Sequence, residues 1–446
     1  MCTFRRLSSK LFPNTATSLD GIEQLNSLSQ MLLYRRRLVE RCYPGAYTIN
    51  PYMFRAVQKL ERLVERYMES IGAQRLLMPT LSPAPLWEQT GRWANMGSEL
   101  FRVKDRNDND MCLAPTHEET ICSVMSKQNL SHKSLPLLLY QISNKFRDEP
   151  HPKHALLRSR EFIMKDLYTF DADEEHALVT YDSVIRCYEA LFQHLSLDVR
   201  KVTASTGNIG GTISHEFHLE TRVGEDTLKV CQRCGHAFNS EVVTPHRSTC
   251  QVQGCPGIYE ELKGTELAHA FLLGERYSKP LQVTYRNRSD RNKLVYMGCY
   301  GIGITRLLAA AVESLSSKDH MKMPRAIVPY NVLIIPQKKG YKYAETREVA
   351  DRLYDCIERD PRLRGEVVMD DRVDHSIGFR LREAKLLGYP LAICVNKKAL
   401  PEENSTPQLE LIDLYKGQAD MIDLKTAVDR LSTLVGNLEM IPGQAE

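Results

Sequence analysis

YQISNKFRDEPHPKHALLRSREFIMKDLYTFD, residues Tyr140–Asp171, has the sequence of an antiparallel β-hairpin. Both arms show the alternation of polar and apolar residues that is typical of strands. The turn between them, from Asp148 to His154, is polar and rich in proline and histidine, as tight chain reversals are. We therefore predict two paired antiparallel strands, and the rest of the chain is interpreted around them.

The two arms carry side chains suited to a charged ligand. Arg158, Phe162 and Asp166 are spaced by four residues, so on a strand they lie on one face. Arg147 and Glu149 are related in the same way on the first arm. A guanidinium binds phosphate, an aromatic ring stacks on a base and a carboxylate holds an ammonium. The alternative is a surface hairpin whose charges only pair with each other.

The bulk composition is that of a globular protein with more than one domain. The chain has 446 residues, 42% of them hydrophobic and 26% charged, which is enough for two or three domains. Its net charge of +3 permits a polyanionic partner. No run approaches the ~18–20 apolar residues of a membrane span, so we expect no membrane partner. The 12 cysteines are scattered, which indicates reduced thiols instead of a secreted disulfide framework.

The N-terminal residues 1–19 resemble a mitochondrial transit peptide. They contain Arg5, Arg6, Lys10 and several hydroxyl residues, with no acid before Asp20 and no long apolar stretch. We expect a protein of the mitochondrial matrix and exclude this leader from the fold. A disordered basic tail is the alternative.

Residues 20–325 have the pattern of an α+β domain. An amphipathic helix over Met53–Gly72 leads into a short apolar strand that Pro79 interrupts. A strand at 111–113 runs into a helix that begins near Glu118, for which Thr116 is the expected N-cap. A helix at 173–195 follows the hairpin. A further helix, at the end of the segment 296–315, follows a glycine-rich strand. From these elements we predict a mainly antiparallel sheet flanked by helices.

The C-terminal residues 329–440 change to the pattern of a small α/β domain. Prolines in the segment 323–330 mark the boundary. Short apolar strands at 332–336, 365–371 and 390–396 alternate with helical patterns, which predicts a largely parallel sheet. Further strands at 408–423 and a last helix at 424–438 complete it.

Three motifs in order resemble the signatures of the class II aminoacyl-tRNA synthetases. A long helix leads to a strand with a proline, here Pro79. A hairpin carries F-R-x-E and then R-x-x-x-F-x-x-x-D, and a helix opens with G-x-G-x-x-R. The matching positions of the second and third motifs are Phe146, Arg147, Glu149, Arg158, Phe162, Asp166, Gly301, Gly303 and Arg306.

Within that class the chain resembles the prolyl-tRNA synthetases of the bacterial or mitochondrial type. The strings PTHEE, LLYQISNKFRDE, LLRSREFIMKD, GG…SHEF, LAHAFLLGERYS and MGCYGIG carry this resemblance. It implies a class II catalytic domain over 20–325 and an anticodon-binding domain over 329–440. It also implies a homodimer that activates proline with ATP and Mg²⁺ to prolyl-adenylate and transfers it to the 3′ end of tRNA-Pro.

The resemblance implies roles for the ATP-facing residues. Arg147 grips the α-phosphate and the carboxylate side of proline, and Glu149 faces the adenine. Phe162 stacks on adenine, Arg306 covers its other face or reaches the γ-phosphate, and Arg158 serves the β- and γ-phosphates. Gly301 and Gly303 belong to the same ATP site. The implied catalytic residues are Arg147 and Arg306.

The resemblance also implies a proline pocket and a metal ligand. Thr116, Glu118, Asp166 and His269 shape the pocket, and Glu266 is the acid for Mg²⁺. Each residue has a structural alternative. Glu118 would then be a helix-start acid, His269 a core histidine and Phe162 a sheet-core ring. Cys299 we interpret as a small packed residue and not as a nucleophile.

A cysteine-containing segment at 228–262 approximates a zinc ribbon. Cys231 and Cys234 form a C-x2-C pair, while Cys250 and Cys255 are spaced more loosely, with His236 and His246 as spare ligands. A structural zinc and a knuckle of free thiols both fit this spacing. Because the second pair is loose, we favour free thiols.

The chain departs from the family in one respect that affects fidelity. Bacterial relatives often carry a large insertion between the second and third motifs that hydrolyses mischarged alanyl-tRNA. The short stretch between Asp171 and Lys263 leaves no room for it. Since an apolar proline pocket discriminates poorly against a smaller amino acid, we expect measurable activation of alanine.

Two rival functions are a catalytically dead synthetase-like accessory protein and a free-standing trans-editing hydrolase. An accessory protein of that kind typically loses the motif arginines, yet Arg147, Arg158 and Arg306 are all present. The trans-editing hydrolase is disfavoured because the editing domain is the part of the family that this chain lacks. For anticodon contacts, Arg372 and Arg380 are the candidates.

Overall fold

The structure, a computed structural model, describes residues 5–11, 24–242, 248–401 and 407–436. The helices of these residues are α1 Leu28–Arg35, α2 Pro51–Ser70, α3 Ala84–Gln89, α4 Arg92–Asn95, α5 Glu118–Met125, α6 Glu174–His194, α7 Ile304–Leu315, α8 Tyr343–Arg359, α9 Ile377–Leu387 and α10 Ala427–Val435. None of these helices combines the length and apolarity needed to cross a bilayer.

The strands follow the same chain order. The first eleven are β1 Val39–Tyr43, β2 Ala46–Ile49, β3 Gln74–Arg75, β4 Leu81–Pro83, β5 Arg102–Lys104, β6 Asp110–Leu113, β7 Leu130–Ser131, β8 Leu137–Phe146, β9 Glu161–Asp171, β10 Val199–Thr203 and β11 Ile213–Glu220. The others are β12 Asp226–Cys231, β13 Ala237–Asn239, β14 Tyr259–Gly274, β15 Thr284–Arg286, β16 Asn292–Leu294, β17 Tyr296–Gly303, β18 Val332–Pro336, β19 Val367–Met369, β20 Leu391–Val395, β21 Gln408–Asp413 and β22 Gln418–Asp423.

The described residues divide into two compact units that are not contiguous in sequence. The first unit lies within Met1–Glu40, Thr48–Leu63 and Ala311–Glu446, and the second within Arg41–Tyr47 and Val64–Ala310. The predicted division at about residue 325 places α1 in the other domain. In the structure its neighbour Arg36 forms a buried ion pair with Glu383, 2.6 Å away, which joins α1 to the C-terminal part of the chain.

The second unit is built on a sheet in the order β11-β10-β13-β12-β14-β17-β9-β8-β3. The predicted hairpin is β8 and β9, and it pairs antiparallel with Lys145 opposite Phe162. Strands β9, β17 and β14 are also antiparallel neighbours, with Gly301 opposite both Asp166 and His269. The predicted α+β fold with a mainly antiparallel sheet is therefore confirmed. The register places side chains of three strands side by side at one position of the sheet.

The helices of this unit follow the sequence pattern with one exception. Helix α2 ends before Gly72, whose φ of 78° is the left-handed conformation that favours glycine at a helix end. Asp173 caps α6 by accepting from His176 N, as the sequence indicates. The expected N-cap of α5, Thr116, is wrong. The residue that precedes α5 is His117, one position later than expected, and the Thr116 hydroxyl donates to the Glu118 carboxylate at 2.7–2.8 Å.

The C-terminal sheet of the first unit has the order β19-β18-β20-β21-β22. Strands β18, β19 and β20 are parallel, as predicted, while β21 and β22 join antiparallel. Helix α8 packs on the apolar core of this sheet through side chains such as Leu353 and Ile357. The antiparallel strands follow β20 without a helical crossover, which a parallel connection would need.

Residues 5–11 of the leader, excluded from the fold above, lie on this same unit. Arg5 pairs with Asp351 and Asp355 of α8 at 3.2 and 2.8 Å. Leu7 forms a parallel bridge to Met369 at the edge strand β19. The basic leader therefore complements an acidic helix face, a long-range match that sequence spacing alone does not reveal. Residues 1–4 and 12–23 lie outside the described part of the chain.

Candidate active site

A cavity of about 320 Å³ in the second unit gathers most of the predicted site residues. Strands β9, β14 and β17 form its base, and the start of α5 and the loop at 205–209 complete it. The predicted residues that line it are Thr116, Glu118, Arg147, Phe162, Asp166, Glu266, His269, Gly301, Gly303 and Arg306. The motifs that are far apart in sequence are thus brought together.

A second cavity of about 220 Å³ contains the two remaining predicted residues, Glu149 and Arg158. Arg147, Glu266 and Arg306 line both cavities, so the two share one wall. Most of the side chains that border the second cavity are charged. We refer to the shared arginines and this cavity as the phosphate end of the site.

The guanidinium of Arg147 has no hydrogen bond or ion pair with any described residue. It lies over the Phe162 ring, with its central carbon 5.5 Å from the ring centroid. Burial lowers the pKa of Arg147 below its ordinary value, and the negative charge of Glu266 offsets part of this effect. A half-buried cation without an acid in contact among the described residues is electrostatically poised to accept an anion.

Arg306, Glu266 and His269 form a connected group beside Arg147. Arg306 donates to Leu157 O at 2.9 Å and to Glu266 Oε2 at 3.1 Å. His269 Nδ1 lies 3.0 Å from Glu266 Oε1. Although burial opposes it, the His269 hydrogen bond and the charge of Arg306 hold the pKa of Glu266 well below its ordinary value. Glu266 is therefore a carboxylate at neutral pH.

Arg158 and Glu149 lie at the outer part of the phosphate end. Arg158 Nε donates to Glu149 Oε2 at 2.8 Å, and a short ion pair joins Arg158 to Glu225. Lys153 contacts Glu225 as well, at 2.9 Å. Glu149 thus pairs with Arg158 within the second cavity and does not line the larger one.

The opposite part of the site, around Thr116 and Glu118, consists of charges that satisfy one another. Glu118 is fully buried and accepts from Arg92 at 3.0 Å and from the Cys299 thiol at 3.0 Å. Arg92 is itself fully buried and also contacts Glu119 at 3.1 Å. We refer to this as the Thr116 end.

Asp166 lies in the cavity wall with its charge already compensated. Lys145 Nζ is 2.7 Å from its carboxylate, and Gln141 and Tyr168 donate to it at 3.0 and 2.9 Å. Both members of the ion pair are buried. Asp166 therefore fixes the wall of the cavity and carries little free charge.

The loop at 205–211 borders the cavity and is held by its glycines. Gly211 has a φ of 105°, and a Cβ there would lie 2.3 Å from Leu272 O. The Tyr277 hydroxyl donates to Ile209 O at 2.8 Å. The Ser214 hydroxyl, which follows the loop, is 2.6 Å from His269 Nε2. The loop is thereby tied to the strand that carries His269.

Several lining or supporting residues were not predicted from the sequence. Arg92 and Lys145 were assigned no role, and Glu216 was quoted only within the SHEF string. The one available signal was that Arg92 lies near Trp87 and Trp93 in sequence, since a guanidinium can stack on such rings.

Two carboxylates and a histidine could hold a divalent cation. One ligand atom each from Glu216, Glu266 and His269 lie within 4.8 Å of one another. Carboxylate oxygens are the ligands that Mg²⁺ prefers, and Glu266 is ionised. Glu216 and His269 face each other across β11 and β14. The two carboxylates, of which Glu266 lies at the phosphate end, therefore fit a divalent cation such as Mg²⁺.

The fold and the site define a class II aminoacyl-tRNA synthetase. Residues 101–315 match the family model of the class II tRNA synthetase core domain for G, H, P, S and T. Residues 331–434 match the anticodon-binding domain.

Comparison with curated proteins narrows the class to one family. The chain is 48% identical over 388 residues to the probable mitochondrial proline–tRNA ligase of Rattus norvegicus, covering 86% of this chain and 81% of the relative. It is 45% identical over 385 residues to the human protein of the same name. That match covers 86% of this chain and 81% of the human protein. The chain belongs to the proline–tRNA ligase family. The resemblance to prolyl-tRNA synthetases and the ligase class predicted from the motifs are confirmed.

A solved structure supports the fold. Prolyl-tRNA synthetase of Giardia lamblia, in complex with prolyl-adenylate, superposes with a TM-score of 0.76 at 22% identity. The match covers 94% of this chain and 80% of that one.

Proposed function

We propose that this chain activates L-proline with ATP to prolyl-adenylate and transfers proline to the 3′ end of tRNA-Pro in mitochondria. The observation that carries the proposal is the unpaired Arg147 guanidinium over Phe162, beside the Arg306–Glu266 pair. This combination offers a cation for phosphate next to an aromatic face for a base. The family to which the chain belongs supports the same activity.

The phosphate end acts by charge and position. Arg147 binds the α-phosphate, Arg306 stacks on adenine or reaches the γ-phosphate, and Arg158 exchanges its acid partners for the terminal phosphates. Phe162 supports the adenine, and Gly301 and Gly303 leave space beside it. Adenylate formation is an in-line displacement at phosphorus, so positioning and neutralisation supply the catalysis and no protein nucleophile is needed.

Mg²⁺ would be held by the Glu266 and Glu216 carboxylates, and when bound it neutralises negative charge on the phosphate oxygens. This chain's own contribution is to hold those carboxylates in place. His218 and Asn239 contact Glu216 Oε2 at 2.8 and 3.0 Å. Arg306 and His269 hold Glu266 from the other side.

The Thr116 end would accept proline. Its paired charges form a rigid wall, in which the Glu118 and Asp166 carboxylates, held in place by Arg92 and Lys145, would accept hydrogen bonds from the proline ammonium. His269, stacked on Phe271 with ring centroids 3.8 Å apart, offers a flat side against the ring of the amino acid. Binding the amino acid beside Arg147 places its carboxylate for attack on the α-phosphate.

The anticodon-binding domain would read tRNA-Pro by stacking and hydrogen bonding to unpaired bases. Arg380 is not available for this, because it is fully buried and donates to the main-chain oxygens of Asp370 and Pro336. Arg372 is held by a bidentate pair with Asp370 at 3.0 and 2.8 Å. Arg380 therefore belongs to the interior of the domain.

A homodimer is part of the proposal, as in the class. The segment that includes Pro79 carries Leu77, 81% exposed, and Leu81, 46% exposed. Leucines exposed on both sides of Pro79 would be buried if a second copy of the chain packed against this segment. Sedimentation of the Leu77→Asp variant tests this: a shift to monomer is expected, and an unchanged dimer excludes Leu77 from the interface.

Import into the mitochondrial matrix is supported by the basic leader and by the names of the relatives. In the folded chain Arg5 and Arg6 pair with acids of α8, so an import receptor would meet them only before folding. An import assay with Arg5→Glu/Arg6→Glu tests the role of the leader, with reduced import expected. Import at the wild-type rate would contradict it.

Proline-dependent ATP–pyrophosphate exchange, followed by charging of tRNA-Pro, tests the proposed activity. We expect exchange that requires proline and Mg²⁺, and charging that requires the tRNA. Exchange that is independent of proline, or none at all, would overturn the proposal. Exchange without charging would overturn only the transfer step.

A further inference from the structure

Four cysteine thiols meet in the segment between β12 and β14, away from the cavity described above. Cys231 Sγ is 3.8 Å from Cys255 Sγ, and Cys234 Sγ is 3.5 Å from Cys250 Sγ. All four sulfurs lie within 4.8 Å of one another. Sulfurs bound to one tetrahedral Zn²⁺ at ~2.3 Å are separated by ~3.8 Å, so the cluster matches a tetrathiolate centre. We propose that these cysteines bind one structural zinc ion.

The loop after β12 has the backbone of a metal-binding turn. Gly235 N donates to Cys231 O at 3.0 Å, and Gly235 itself has a φ of 74°. The left-handed glycine allows the chain to reverse directly after Cys234. Both thiols of the C-x2-C pair are thereby turned to the same side.

The looser second pair is shaped by its own glycines. Cys255 N donates to Val252 O at 3.0 Å, and Gly254, with a φ of 79°, lets the longer loop fold back. A Cβ on Gly257 would lie 2.5 Å from Cys231 Sγ. The four-residue spacing that argued against zinc in the sequence is accommodated in this way, since the extra residues fold into a turn.

The two loops are joined by Tyr259. Its hydroxyl accepts from Gln251 N at 3.0 Å and lies 3.0 Å from His236 Nδ1. His236 therefore supports the cluster and is not a ligand. His246, the other spare ligand, lies outside the described residues.

Little apolar burial holds these loops. The neighbouring core cluster consists of Val202, Leu228, Val230 and Ala237 with Leu262, and none of these lies in the loops themselves. Val252 and Ile258, which do, are 40% and 55% exposed. Segments this exposed usually need a cross-link or a metal to hold one conformation. Two disulfides would require both thiol pairs to close to ~2.05 Å, whereas a metal at the centre needs no such approach.

The zinc would stabilise strands that extend to the phosphate end. Cys231 of β12 is opposite Tyr259 of β14, and the same ladder continues to Asp226 opposite Gly264. Glu266 follows on β14. We therefore assign the ion a positioning role for the acids near Arg147, without contact with substrate.

The test is metal analysis of the full-length chain purified from zinc-supplemented cells. We expect one zinc per chain in the wild type. Cys234→Ser and Cys250→Ser should lower the affinity for zinc by at least ~10-fold, and the matched control Cys356→Ser, an exposed cysteine of α8, should retain the ion. Co²⁺ exchanged into the wild type should show the absorption of tetrahedral cobalt thiolate.

Three results would overturn the proposal. One is a metal-free wild type with four thiols that react with Ellman's reagent. The second is a mass lower by four hydrogens, which would reveal two disulfides. The third is stoichiometric iron in place of zinc. The wild-type measurements decide the matter even if the serine variants fail to fold.

Discussion

The two ends of the site use buried charge in opposite ways. At the Thr116 end, Arg92 is enclosed with Glu118 and Glu119, so each of these buried charges already has a partner of opposite sign. At the phosphate end, Arg147 has no partner among the described residues, and Arg158 pairs with acids at a half-exposed surface. The difference indicates that the first end is a preformed wall and the second is completed by the ligand.

The largest expected effect comes from breaking the enclosed network. Arg92→Met leaves Glu118 and Glu119 buried without their counter-charge, and removing one partner of a buried pair costs ~3–5 kcal/mol. We expect the free energy of unfolding in urea to fall by about that amount. The control is Arg186→Ala, whose ion pair with Asp182 is 68% and 72% exposed and should contribute less than ~0.5 kcal/mol. Equal effects of the two variants would contradict the account.

A second test compares the two buried lysines of the hairpin. Lys145 pairs with Asp166, whereas Lys165 donates to the Tyr188 hydroxyl and to Tyr300 O and has no ion pair among the described residues. Burial lowers the pKa of Lys165 to about 7.

Between about pH 7 and the ordinary lysine value of ~10.4, the unfolded chain binds a proton at Lys165 that the folded chain does not. Stability should therefore rise with pH across this window, by up to ~1.4 kcal/mol per pH unit from this group. In the Lys165→Met variant, the free energy of unfolding in urea should lose this part of its rise with pH. An unchanged slope would show that Lys165 stays protonated in the fold.

A smaller effect is expected from the hydroxyl at the Thr116 end. Thr116→Val removes the donor to Glu118, which should raise KM for proline by ~10-fold and leave KM for ATP unchanged. Thr90→Val is the matched control, since its hydroxyl donates to Glu119 at 2.8 Å without lining the cavity. Steady-state exchange kinetics separate the two constants. A change confined to KM for ATP would place proline elsewhere.

The smallest signal is the activation of alanine. The described residues between Asp171 and Lys263 include α6, strands β10–β13 and the cysteine loops. Because each missing methylene costs only ~1–3 kcal/mol, alanine should support exchange at a reduced but measurable rate. No alanine-dependent exchange at saturating alanine would show that the wall excludes smaller side chains.

The sequence predicted local elements well because their patterns are local. Helix α2, the β8–β9 hairpin and helix α8 follow from periodicity, glycine stops and a polar turn. The motif arginines could be assigned because the resemblance supplied their order. Arg92 could not, since its role depends on Glu118 and Glu119, which contact it only after folding.

Long-range complementarity explains the other differences. Arg5 meets the acids of α8 although some 350 residues separate them, and no spacing rule connects such positions. Thr116 was a reasonable N-cap by position, yet α5 begins one residue later, after His117, and the Thr116 hydroxyl instead donates to the buried Glu118. The cysteine spacing was ambiguous until the turns at Gly235 and Gly254 were known.

The most direct test of the contrast between the two ends is proline-dependent ATP–pyrophosphate exchange by Arg147→Ala beside Arg186→Ala. We predict that Arg147→Ala lowers kcat/KM by ~10²–10³, because an uncompensated cation is lost where phosphate charge develops, while its urea stability stays near that of the wild type. Arg186→Ala should match the wild type in both measurements. An Arg147→Ala variant with full exchange activity would contradict the central claim.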